Sequence, residues 1–242
     1  ERGEDITTGF LGGSITQGSL SSTPQTCYAY LVYEWWKKKF PESEITFVNA
    51  GIGGTTSQFG VSRVKEHLLS YQPDFVLIEF AVNDEGDETK GDCYESLVRK
   101  VLKLPWRPAV VLLFSVFAND WNLQERLQPV GRQYDLPMVS ILDAVTPQFS
   151  GKEQKRVITK NQFFYDMFHP TNLGHTIMAD CLEYLMEVCD TSDHARVDSF
   201  RQGMTEEEVL EQCLRGEPAI GNSFEKVKLL DRRDGYEGAS MR

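Results

Sequence analysis

Ile6-Thr7-Thr8-Gly9-Phe10-Leu11-Gly12-Gly13-Ser14-Ile15-Thr16 is an apolar run that stops in two glycines and a serine. An amphipathic helical pattern follows. A strand that ends in glycines before a helix makes a tight turn, and such a turn holds one side chain out over the end of a sheet. Here that side chain is Ser14. Backbone N–H groups of the loop and the helix start face whatever this hydroxyl attacks. On its own, Gly-Gly-Ser also suits a plain flexible turn.

The same punctuation recurs along the chain. Ile45 to Val48 runs into Asn49-Ala50-Gly51-Ile52-Gly53-Gly54-Thr55-Thr56, a second glycine turn after a strand. Phe75 to Phe80 is nearly continuously apolar, as in a parallel strand covered on both faces, and ends in Ala81-Val82-Asn83-Asp84. Ala109 to Phe114 and Met138 to Leu142 read as the fourth and fifth strands. Between the strands, helical spacing predicts helices over Tyr28 to Phe40, Ser57 to Tyr71, Tyr94 to Leu104 and Trp121 to Tyr134, the last interrupted by Pro129. Phe59, Val61, Val64, Leu68 and Leu69 are the expected buried stripe of the second. Phe149 to Asn161 reads as a polar active-site loop or short helix, and Asn172 to Val188 as the last core helix. Strands alternating with helices indicate a parallel sheet with helices on both faces. Ligands in such folds bind beyond the carboxyl ends of the strands. Ser14, Gly54 and Asn83 follow the first three strands, and Asp166 and His169 lie beyond the fifth.

The domain boundary is expected near residue 189, with a catalytic unit over 1–189 and an acidic extension over 190–242 that packs on the core or begins a further domain. Within the extension, Thr205-Glu206-Glu207-Glu208 fits a capping box, Gly216 can end its helix, and Phe224 to Leu230 reads as a strand. The net charge of −11 argues against nucleic acid and anionic membrane surfaces as partners. No stretch has transmembrane length. Five cysteines, Cys27, Cys93, Cys181, Cys189 and Cys213, show no zinc spacing. Buried thiols and a cytoplasmic setting are the expectation, with secretion open because the chain begins at Glu1. No cofactor and no metal is expected. The oligomeric state stays open.

A serine nucleophile needs a base and a group that orients the base. Among four histidines, His67 and His194 read as surface residues and His175 as solvent-facing or capping. His169 precedes Pro170 on a loop, with Asp166 three residues earlier. That spacing lets the carboxylate reach one ring nitrogen while the other faces outward. A capping Asp beside a loop His has the same spacing. Donors for a developing oxyanion are the N–H of Ser14, the N–H of Gly54 and the side-chain amide of Asn83. Gly54 also suits a turn requirement, Asn83 a cap or an Asx-turn, and Asp84 a local cap.

Gly12-Gly13-Ser14-Ile15-Thr16, the Asn49 to Thr55 block, Val82-Asn83-Asp84 and Asp166-Met167-Phe168-His169-Pro170 resemble, in order and spacing, the four blocks of the SGNH (GDSL-type) hydrolase superfamily. The resemblance spans Ile6 to about Val188. It implies a flavodoxin-like three-layer α/β/α sandwich around a five-stranded parallel sheet. It implies Ser14 as nucleophile, His169 as base and Asp166 as its partner, with Gly54 and Asn83 joining Ser14 in the oxyanion hole. Gly13 stands where the family's Gly-Asp-Ser carries its acid. The Gly-Gly-Ser-Ile-Thr form resembles bacterial members, some of which deacetylate carbohydrates. The expected activity is hydrolysis of a short acyl ester, such as acetyl, on a carbohydrate or other small molecule. An acyltransferase with the same triad and a non-catalytic carbohydrate-binding protein are the readings to separate from it.

Overall fold

The computed structural model describes residues 3–150, 157–191 and 205–230. Five parallel strands form one sheet in the order β2-β1-β3-β4-β5. They are β1 (Ile6–Gly12), β2 (Ile45–Gly51), β3 (Phe75–Glu79), β4 (Ala109–Phe114) and β5 (Met138–Ser140). The helices are α1 (Ser14–Gln17), α2 (Tyr28–Lys39), α3 (Ser57–His67), α4 (Asp92–Leu102), α5 (Gln124–Gln133), α6 (Ile141–Ser150), α7 (Lys160–Phe163), α8 (Asn172–Thr191) and α9 (Glu206–Arg215). The doubly wound arrangement and five parallel strands match the expected fold class.

Side chains alternate across the sheet and feed two cores. Leu11, Val76, Ile78, Val110 and Leu112 point into one, closed by α3, α4 and α5. Phe10, Phe75, Leu77, Val111 and Leu113 point into the other, closed by α2, α6 and α8. β1 pairs with β2 on one side and with β3 on the other. The strand order therefore reverses at β1, and the crevice beyond the ends of β1 and β3 is the switch point where ligands bind in doubly wound sheets.

Several elements differ from the expectations. β5 stops at Ser140 because the Ser140 hydroxyl accepts the N–H of Asp143 at 3.0 Å and opens α6. Ile141, Val145 and Phe149 then recur at four-residue spacing and are buried. Residues 141–150 are thus helix; of the expected loop or short helix over Phe149 to Asn161, residues 151–156 lie outside the described residues and Lys160 and Asn161 open α7. α5 begins at Gln124 and continues through Pro129, which forfeits one backbone bond without splitting it. On α3 the buried positions include Gly60 and Arg63, while Phe59 is 40% exposed. Cys27 and Cys93 are buried and Cys181 and Cys213 half-buried, but Cys189 is exposed, so the expectation of buried thiols holds for part of the set.

Residues 205–230 lie against α3 and α4. The Thr205 capping box forms, with the Glu208 N–H donating to the Thr205 hydroxyl and the Thr205 N–H to the Glu208 carboxylate. Leu210, Leu214, Ile220 and Phe224 pack on the first core. Phe224 to Leu230 is not a strand. It crosses helices rather than a sheet edge, so the Phe224 N–H goes to the Ser96 hydroxyl and the Leu229 N–H to the Ser62 carbonyl. Glu95 is fully buried and accepts the N–H groups of Ala219, Ile220 and Gly221 and the Tyr134 hydroxyl. No helix among the described residues is long and apolar enough to cross a membrane.

Candidate active site

β1 delivers Ser14 to the first position of α1, a single turn that follows the strand without a linker. α8 is preceded by the loop that carries Asp166 and His169, closed on itself by a bridge between Phe164 and Pro170. Across the 155 residues between them, His169 Nε2 comes to 3.0 Å from Ser14 Oγ. His169 Nδ1 lies 3.0 Å from Asp166 Oδ2 and 3.1 Å from Oδ1. Asp166 Oδ1 also accepts the backbone N–H groups of Phe168 and His169 at 2.7 Å each. Partial burial alone would raise the Asp166 pKa. The bonds from the His169 ring and the two N–H groups outweigh it and hold the carboxyl below its usual value. The local loop thus fixes the carboxylate, and the carboxylate fixes the ring.

The loops that follow β2 and β3 crowd round the same turn. A Cβ built on Gly53 would lie 3.7 Å from Ser14 Cβ, and the Gly53 N–H donates to the Gln17 side chain at 2.9 Å. Gly54 has φ +70°, and a Cβ there would meet nothing within 4 Å. A Cβ built on Gly13 would lie 2.4 Å from Asn83 Oδ1, so the Asn83 amide sits directly against the turn. Among the described residues the Asn83 amide has no hydrogen-bond partner, and it caps nothing. Asp84 caps a distant element and not the local turn expected of it, accepting the Ser57 N–H at the start of α3, 27 residues away, at 2.7 Å. Burial pushes its pKa up to about 7. All five anticipated residues therefore converge on one end of the sheet.

Several supporting side chains escaped the sequence reading. Asn49 donates to the Thr16 carbonyl and accepts the Gly51 N–H, each at 2.8 Å, and so locks the second turn onto α1. Arg63 is fully buried and donates to the carbonyls of Ala50 and Gly12 at the ends of β2 and β1. Burial without a carboxylate partner lowers its pKa to about 10. Glu79 ends β3 beneath the serine turn and receives the hydroxyls of Ser115 and Thr16. Burial pushes its pKa up to about 7, against the pull of those hydroxyls and the Gly13 N–H. Thr16 in turn bonds the Tyr28 hydroxyl at 2.7 Å. The one available signal was the lone charge of Glu79 inside an otherwise apolar run; Arg63, in a stretch with Lys65 and Glu66, gave none.

His175 overturns its reading as a solvent-facing or capping residue. It is fully buried, stacks on Tyr28, and its Nδ1 accepts the Tyr28 N–H at 3.3 Å. Burial, aided by the charge of His169, lowers its pKa to about 4. His67 is exposed as expected, and His194 lies outside the described residues. Among the described residues no group of three or more His, Cys, Asp or Glu could hold a metal ion.

A hydroxyl, an imidazole and a carboxylate in hydrogen-bond series is an arrangement suited to acyl transfer. Comparison with known proteins agrees. A two-domain esterase active on acetylated mannans, whose crystal structure includes mannopentaose, superposes with a TM-score of 0.74 at 47% identity, covering 78% of this chain and 51% of that one. The chain thus spans about half the length of that relative. The acetylxylan esterase of Geobacillus stearothermophilus is 26% identical over 196 residues, 70% of this chain and 89% of that protein. Thioesterase 1/protease 1/lysophospholipase L1 of Escherichia coli is 32% identical over 93 residues, 38% of this chain and 42% of that protein. Residues 10–177 match the sequence profile of the GDSL-like Lipase/Acylhydrolase family, and the chain belongs to that family.

Proposed function

We propose that this chain is a serine carboxylic ester hydrolase that removes short acyl groups, acetyl foremost, from a carbohydrate. The observation that carries the reading is the unbroken series Ser14 Oγ, His169 Nε2, His169 Nδ1, Asp166 Oδ2, with 3.0 Å at each hydrogen bond. Ser14 Oγ attacks the ester carbonyl carbon and His169 Nε2 takes its proton. Asp166 stabilises the imidazolium that results. The N–H of Ser14, the N–H of Gly54 and the Asn83 amide receive the oxyanion. His169 then returns the proton to the departing sugar hydroxyl, leaving an acyl-Ser14 ester. Water, deprotonated by the same imidazole, attacks that ester and frees the acid. The carbohydrate part of the reading is supported by the acetylated mannans and the acetylxylan that name two of the relatives.

Hydrolysis of p-nitrophenyl esters over a range of acyl lengths, together with acetylated mannan and xylan oligosaccharides, tests the reading. Turnover should be greatest for acetyl. Ser14→Ala should abolish turnover and labelling by a serine-directed phosphonate; labelling that persists in the variant would rule Ser14 out as nucleophile.

A further inference from the structure

The loops that frame His169 carry three aromatic rings that are not fully buried. Phe168 is 49% exposed and half-buried Phe117 and Trp121 lie beside it. The Phe168 ring meets the His169 ring nearly edge-on, centroids 6.3 Å apart, and meets Phe117 at 5.0 Å. Phe117 stacks on Trp121 at 5.8 Å with 27° between the planes. A row of three rings therefore leads outward from the imidazole. The row is braced from below. The Ala118 N–H donates to the Met167 carbonyl and the Phe117 N–H to the Trp121 carbonyl, each at 3.0 Å. Lys160 ties down the same loop through the Ala118 carbonyl and the Asp120 carboxylate.

Beyond Trp121 lies a cleft of about 490 Å³. Its polar lining includes Asp120, Asn122, Gln124, Glu125 and Arg126. That volume is ordinary for a small-ligand site, and exposed apolar surface rimmed by polar groups marks a binding site. The chemistry points to one kind of occupant. A pyranose has an apolar face of C–H bonds whose hydrogens carry positive partial charge, and a rim of hydroxyls. The face of an aromatic ring is negative and attracts the first. Asp120, Asn122 and Gln124 are already bonded to Lys160, Ser115, Ser140 and Asp143, and the Glu125 carboxylate and the rest of the Arg126 guanidinium match the second. An acyl chain would desolvate those polar groups without satisfying them.

We infer that Phe168, Phe117 and Trp121 form a stacking subsite for a sugar ring of the substrate, next to the ring whose ester reaches Ser14. The cleft beyond Trp121 takes the hydroxyls of that neighbouring ring. The inference rests on the proposed carbohydrate esterase activity and extends it from the acyl group to the carrier.

The test compares two esters and adds a binding measurement that needs no turnover. For Trp121→Ala and Phe168→Ala, kcat/KM on acetylated mannan or xylan oligosaccharides should fall about tenfold relative to kcat/KM on p-nitrophenyl acetate, through KM. Trp121→Phe should recover most of the loss. In the Ser14→Ala background, calorimetry should detect unsubstituted mannopentaose or xylopentaose, and Trp121→Ala should weaken that binding by a similar factor. Equal losses on both esters, or sugar binding that is absent or indifferent to both aromatic truncations, would overturn the subsite and leave the esterase reading standing. If the unaltered protein hydrolyses neither ester, the esterase reading falls, and calorimetry still decides the subsite. Thermal melting of each variant separates these outcomes from misfolding.

Discussion

The Cα of Gly13 and the amide of Asn83 share a space too small for one more carbon: a Cβ on Gly13 would stand 2.4 Å from Asn83 Oδ1 and 2.8 Å from Nδ2. Gly13 has φ −88°, which any residue can adopt. The glycine is required by the neighbour and not by the backbone. Gly13→Ala should therefore displace the Asn83 amide from the serine turn. The expected result is a loss of about a hundredfold in kcat on p-nitrophenyl acetate, the scale of one lost oxyanion donor, with little change in KM. Asn83→Ala should give a similar loss, and the double variant no more than either alone. Losses that multiply would mean that the two residues act separately.

Gly54 presents the opposite case. Its φ of +70° disfavours a side chain, yet a Cβ would touch nothing. Gly54→Ala should cost about 1 kcal/mol of stability from the backbone alone. Its methyl group would occupy the open side of the crevice, so kcat/KM should fall much further than stability does. Urea unfolding and steady-state kinetics on the same preparation check the separation.

Glu79 links stability to pH. Its carboxyl is raised from 4.5 to about 7 in the folded protein, because burial penalises its charge. The folded state then holds a proton that the unfolded state releases. Stability from this group is present below about pH 4.5 and is lost as pH rises to about 7, with no further change above. Asp84, raised from 3.8 to about 7, acts in the same sense. His175, lowered from 6.5 to about 4, acts in the opposite sense and costs stability as pH falls through that interval. Comparing Glu79→Gln with the unaltered protein isolates the first term. The variant should gain relative stability between pH 4.5 and 7 and hold a constant margin above, as read by chemical denaturation at each pH. A margin that does not vary with pH would mean that Glu79 is ionised throughout.

Glu95 fastens residues 219–221 to α4 through three backbone N–H groups. Glu95→Ala orphans all three and removes the acceptor of the Tyr134 hydroxyl, which keeps the bond it receives from Arg99. The expected cost is about 3 kcal/mol or more in urea unfolding. Amide exchange at Ala219, Ile220 and Gly221 should accelerate more than exchange in β1 or β3.

The parts of this molecule that were legible in its sequence are those where backbone and side chain carry one message. Glycine after an apolar run marks the strand ends that hold Ser14 and Gly54, and the end of the continuous apolar run Phe75 to Phe80 marks the one that holds Asn83. Local spacing was also enough for Asp166 and His169, since a three-residue loop needs no distant partner to bring them together. What escaped depends on residues remote in the chain. His175 follows Gly174 near a helix start and looks exposed until Tyr28, 147 residues earlier, covers it. Glu79 and Arg63 are charges whose burial is set by hydroxyls and carbonyls on other strands. α6 was hidden because Ser140, which reads as a strand residue, caps the helix that follows it. The expected strand over Phe224 to Leu230 had suitable side chains but no sheet edge to join.

Asp166 and His169 belong to one loop, pinned by its own bridge and by hydrogen bonds among its own residues. Of the two links in the series, only the one to Ser14 joins separate parts of the chain. Ring and carboxylate are thus aligned within one short segment, and the fold has a single long-range distance to set, the gap from the imidazole to the hydroxyl.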